Sequence, residues 1–157
     1  MRKLNEYLEE VILVILLVCM IFILGLQIVL RYVFKNSLSW SEELVRYMFV
    51  WSTFIGIPYC IKNNTSIRVN QFKTAMPIKV QNILSYVDKF IMFILFLIMA
   101  VFSIDIVNSS FASGQSSAAM GIPYWLIQIS VPIGSVLSLI RIVQNVMAIN
   151  KESKKEN

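Results

Sequence analysis

The chain contains no histidine. That removes the side chain most used as general base, proton shuttle and metal ligand near neutral pH. Cysteine is almost as scarce: only Cys19 and Cys60 are present, both within apolar runs. Neither has the spacing of a metal-ligand set or a redox pair, so both read as small buried hydrophobes. Charge is the third scarcity, at 15% of 157 residues against 57% hydrophobic, with a mean hydropathy of +0.71. A soluble domain of this length needs far more polar surface. Residues 11–30 carry no charged side chain, residues 108–121 carry none, and residues 62–79 carry no acid.

What is there is apolar length. An uncharged run such as 11–30 supplies about 30 Å of helix, the thickness of a bilayer's hydrocarbon core. The pattern predicts an all-α membrane protein with four transmembrane helices, at about residues 11–30, 44–61, 87–107 and 123–149. Such spans leave no room for a sizeable soluble domain, so one domain over residues 1–157 is expected. The first run is too long for the core of a secretory signal and no small-residue cleavage site follows it, so no cleavable signal is expected.

Lysine and arginine set the orientation. One side of the membrane receives Arg2, Lys3, Lys62, Arg68, Lys73, Lys79, Lys151, Lys154 and Lys155, and the other only Arg31, Lys35 and Arg46. Both termini are therefore expected in the cytoplasm. The net charge of +5 belongs to this topology and does not point to a nucleic-acid partner. Within residues 62–79 the apolar Ile67, Val69, Phe72 and Met76 alternate with Arg68 and Lys73. That mixture predicts a segment lying on the cytoplasmic membrane surface between the second and third spans, in contact with lipid.

The polar features gather on the opposite side. Ser39-x-x-Glu42 has the spacing of a capping box, and Glu42, Glu43 and Arg46 fall on one helix face. Trp40, Tyr47 and Trp125 are placed as interfacial anchors. Gln27, the one strongly polar residue of the first span, is expected to hydrogen-bond a neighbouring helix. Arg141 is expected to snorkel toward the cytoplasmic surface. Arg31, Lys35, Trp40, Glu42, Glu43, Arg46 and Asp105 form a candidate outward surface for docking a partner, with Arg31–Glu43 and Arg46–Asp105 as expected bridging pairs. The plainer alternative is a solvated turn, since exposed ion pairs contribute little.

Catalysis is not indicated, because the ionisable residues hug the two membrane surfaces and no nucleophile elbow or phosphate loop is present. A self-sufficient carrier is not indicated either. Such proteins show internal repeats around a polar site at the membrane midplane, and the two halves here show none. A four-span subunit of a larger assembly fits better.

The run RYVFKNSLSWSEELVRYMFVW, followed by Gly56, resembles the small membrane subunit of tripartite ATP-independent periplasmic (TRAP) transporters, the DctQ-like family. Ile67-Arg68-Val69 is similar to that family's His-Ile-Arg-Val-Asp segment, with Ser66 and Asn70 in place of its histidine and aspartate. Ile122-Pro123-Tyr124-Trp125, followed by Pro132-Ile133-Gly134, is similar to its fourth-span pattern. The resemblance implies a scaffold in a bacterial inner membrane, paired with a large multi-spanning carrier subunit and docking a periplasmic substrate-binding protein. It implies sodium-coupled uptake of an organic acid such as a C4-dicarboxylate or a sialic acid, with sodium used by the partner and no cofactor in this chain. The competing expectation is a self-associating four-span channel or regulatory subunit, whose polar stripe would be Gln128, Ser135 and Ser138.

Overall fold

The computed structural model describes residues 2–35, 38–63 and 78–153. The surface segment expected at 62–79, with Arg68 and Lys73, falls outside the described residues except at its ends.

The chain forms α1 (Arg2–Val33), α2 (Ser39–Lys62), α3 (Ile78–Ser113), the short α4 (Trp125–Gln128) and α5 (Ser130–Ser153). No strand occurs among the described residues, only an isolated bridge between Ser116 and Pro123. Four stretches are long and apolar enough to cross a membrane: Glu9–Val33, Ser39–Lys62, Tyr86–Ser113 and Trp125–Met147, the last made of α4 and α5 together. The helices outrun the apolar stretches that mark them. The 36 residues of α3 extend about 54 Å, well beyond a hydrocarbon core of about 30 Å. Hydrophobicity marks where lipid begins and ends, whereas good helix formers such as lysine, glutamine and leucine carry the backbone pattern further.

Proline divides the fourth span. Pro132 has no N–H for the Gln128 carbonyl, and its ring crowds that oxygen, so the helix stops at Gln128 and resumes at Ser130. The span opens at Trp125 with Tyr124 as its cap residue, two residues later than the sequence suggests, because Pro123 is engaged in the bridge to Ser116.

The long helices pack in the order α1, α2, α5, α3, with α1 and α3 at the edges. At the centre α5 approaches α2 closely. A Cβ built on Gly134 would lie 2.6 Å from the Phe54 carbonyl oxygen and 2.7 Å from its Cβ, so no larger residue fits without moving the helices apart. Ser130, Gly134 and Ser138 recur at four-residue spacing and are buried, the arrangement of small residues that lets membrane helices meet backbone to backbone. The two serine hydroxyls turn inward onto their own span, Ser130 to Ile127 O of α4 at 2.6 Å and Ser138 to Gly134 O at 2.7 Å. Below this contact Ile61, Phe96 and Ile142 form the buried apolar core.

Candidate functional site

The site lies at the end of the row where the α1–α2 turn meets the uncharged connection 114–124. That connection has a defined shape. Gly114 and Gly121, at φ +60° and +68°, occupy the left-handed region that glycine adopts without a Cβ penalty. Between them Ser117 N–H donates to Ile122 O at 2.8 Å and Gly121 N–H to Ser117 O at 3.0 Å. Tyr124 N–H donates to Gln115 O at 3.0 Å and closes the loop onto the start of α4. At the tip, the backbone N–H groups of Ala119 and Met120 point at α2.

Glu43 fills that tip. Its Oε2 accepts both amides at 3.1 Å each, and its Oε1 accepts the Tyr47 hydroxyl at 2.7 Å. One carboxylate thus joins the first turns of α2 to a loop 76 residues further on. Charge-assisted hydrogen bonds of this kind are about twice as strong as neutral ones. The neighbouring Glu42 turns the other way: its Oε1 accepts Gln27 Nε2 at 2.7 Å and ties α1 to α2. Gln27 therefore does what a lone glutamine in a span is expected to do.

Several expected arrangements do not form. Neither Arg31–Glu43 nor Arg46–Asp105 is an ion pair, because Glu43 is taken by neutral donors and Asp105 sits on α3, beyond α5 from Arg46. The capping box is absent as well: Leu38 is the cap residue, without a side-chain cap bond, and Glu42 is engaged with Gln27. Ser41, fully buried, donates to Leu38 O at 2.8 Å instead. Tyr47 is buried rather than displayed at the headgroups. Trp125 is half-buried, with Phe111 edge-on at a centroid distance of 5.9 Å. Arg31, Lys35, Trp40, Glu42, Arg46 and Asp105 are all exposed.

Sequence reasoning missed the opposite end of the row. Arg141 does not simply snorkel; its guanidinium forms an ion pair with Glu9 and donates to Gln144 Oε1 at 3.0 Å. Beside it, Asn145 donates to the Ile61 carbonyl oxygen at the end of α2. An acid at the start of the first span and a base near the end of the last was the available signal.

The model of the DctQ component of tripartite ATP-independent periplasmic transporters matches residues 20–150 of this chain. The chain belongs to this family. As a DctQ component it is a multi-pass part of a transporter and not an enzyme. Among curated relatives it is similar to the sialic acid TRAP transporter small permease protein SiaQ of Vibrio cholerae, at 25% identity over 96% of this chain and 86% of that one. A putative TRAP transporter small permease protein of Haemophilus influenzae is 30% identical over 60% of each chain. The isethionate TRAP transporter permease protein DctMQ of Oleidesulfovibrio alaskensis is 28% identical over 87% of this chain, which spans only 22% of that longer protein.

Proposed function

We propose that this DctQ component is the small scaffold subunit of a TRAP transporter in a bacterial inner membrane. On this reading it pairs with a large multi-spanning carrier subunit, and its turn end faces outward to receive a soluble substrate-binding protein. The observation that carries the reading is the distribution of polar groups. The seam between α2 and α5 is closed by Gly134 on Phe54, and Ser130, Ser135 and Ser138 are buried within helix packing. Of the polar stripe a channel would use, Ser135 and Ser138 are thus within the packing and Gln128 is half-buried, which favours the scaffold. Among the residues whose exposure is described, the exposed basic side chains Arg31, Lys35 and Arg46 lie at the turn end, while Glu43 there is occupied by the loop.

The lysine and arginine distribution supports cytoplasmic termini. Pairing is supported by relatives in which a segment like this one is part of a much longer permease polypeptide: this chain spans 22% of the isethionate permease and 22% of the sialic acid permease SiaT of Haemophilus influenzae. The transported solute is an organic acid, and sodium is bound by the large subunit.

Affinity purification of the tagged chain from its native membranes in a mild detergent, with mass spectrometry, tests this reading. Recovery of one large polytopic protein at equal stoichiometry supports it, and recovery of this chain alone as a defined oligomer overturns it. In the intact complex, Glu43→Ala should release the loop and lower uptake of the organic acid. Unchanged assembly and uptake would remove Glu43 from the docking surface.

A further inference from the structure

The edge helix α3 has two sharply different sides. Phe96, Ala100, Ser103 and Ser110 are buried and face the rest of the molecule. Asp105 lies about 180° around the helix from that stripe, at 100° per residue, and is exposed at the rim of the row. It has no hydrogen-bond or ion-pair partner among the described residues. One turn on, Asn108 and Ser109 share its side and are exposed, and one turn back are Val101 and Phe102, at 56% and 63% exposure.

Depth makes this placement costly. Phe111 meets Trp125, and tryptophan marks the headgroup level. Asp105 precedes Phe111 by six residues, about 9 Å along the helix, and so lies inside the apolar stretch Tyr86–Ser113, long enough to cross a membrane. An aspartate is too short to reach the surface from there as lysine or arginine can. A carboxylate on an outward helix face within such an apolar stretch is met by a donor from another protein or by a water-filled path. The chain's own free cations at this end, Arg31, Lys35 and Arg46, belong to the α1–α2 side, with α5 between them and α3.

We infer that the Asp105 side of α3 is the surface on which a transmembrane helix of the large carrier subunit packs, and that this helix presents an arginine, a lysine or a set of hydroxyl and amide donors to Asp105 and Asn108. The inference rests on the scaffold reading above and locates the pairing surface within it. The unpaired charge calls for a polar partner, and the longer permeases of which a chain like this spans 22% point to the large subunit as that partner. The outer face of α1 supplies the contrast: Val14, Val18, Phe22 and Val29 are exposed there with nothing polar among them, a surface suited to lipid.

The test is site-specific photo-crosslinking of the full complex in native membranes, with benzoylphenylalanine placed at Ser109 and, separately, at Phe22. The expected result is a covalent adduct between position 109 and the large subunit, and none from position 22. Asp105→Leu should lower that adduct about ten-fold, the effect of one lost charge-assisted hydrogen bond, while Asp105→Asn retains most of it. If the large subunit co-purifies but crosslinks only from position 22, or if position 109 captures a second copy of this chain or lipid alone, the surface is wrong and the pairing stands. If no large subunit co-purifies at all, the scaffold reading fails and this inference with it.

Discussion

Two carboxylates, Glu43 near one end of the row and Glu9 near the other, are held by different means. Glu43 is satisfied by neutral donors, two backbone amides and a phenol. Glu9 is satisfied by a guanidinium, and its second oxygen is buried without a partner. The difference follows from what each must hold. Backbone amides line up on Glu43 only while residues 117–121 keep their turn, so that carboxylate senses the shape of a loop. The Glu9–Arg141 pair joins α1 to α5, which are not neighbours in the row, and so reaches past the end of α2. One end fixes a surface and the other fixes an arrangement of helices.

The strongest way to break this contrast is to part the helices between the two ends. Gly134→Leu places a side chain against the Phe54 backbone. It should cost about 3 kcal/mol or more in mixed-micelle unfolding, since overpacking a tight contact costs that order, and should loosen both ends together. Next is the ion pair. Its side chains are only 16% and 20% exposed, so Arg141→Met should cost about 2 kcal/mol, between exposed and fully buried pairs. Glu9→Gln in the same background should recover part of that loss, as a double-mutant cycle would register. Glu43→Ala should act locally: hydrogen exchange at the Ala119 and Met120 amides should quicken about ten-fold, while exchange near Arg141 stays as it was. Tyr47→Phe should have the smallest effect, about 1 kcal/mol for one hydrogen bond, with the loop amides still protected. A Tyr47→Phe variant that exposes those amides as fully as Glu43→Ala would show that the phenol, rather than the carboxylate, positions the loop.

The four spans were legible because a lipid solvent writes itself into sequence as uninterrupted apolar length. Gln27 was legible for the same reason, since a lone amide among leucines and valines has few places to turn. The ion pairs were not. Arg46 and Asp105 stand at similar distances from their helix ends, but sequence does not reveal that α5 lies between α2 and α3. Glu43 was picked out for its charge and its position in the first turn of a span. Its partners were invisible because backbone amides belong to every residue, and only the two positive-φ glycines, Gly114 and Gly121, hint that the loop between them is shaped. Helix ends were misplaced wherever polar helix formers continued beyond the lipid, as at Ile78, or where a proline was already engaged elsewhere, as at Pro123.

The order α1, α2, α5, α3 has one further consequence. Among the described residues the main helix contacts run along a line, bridged past a neighbour by Glu9–Arg141, and leave the molecule two broad sides. On the scaffold reading proposed above, a solute crossing the membrane beside such a shape would travel along a flank. Its contribution is then that of a fixed rail, a border whose straightness depends on three seams, and the seam at Gly134 is the one with no slack.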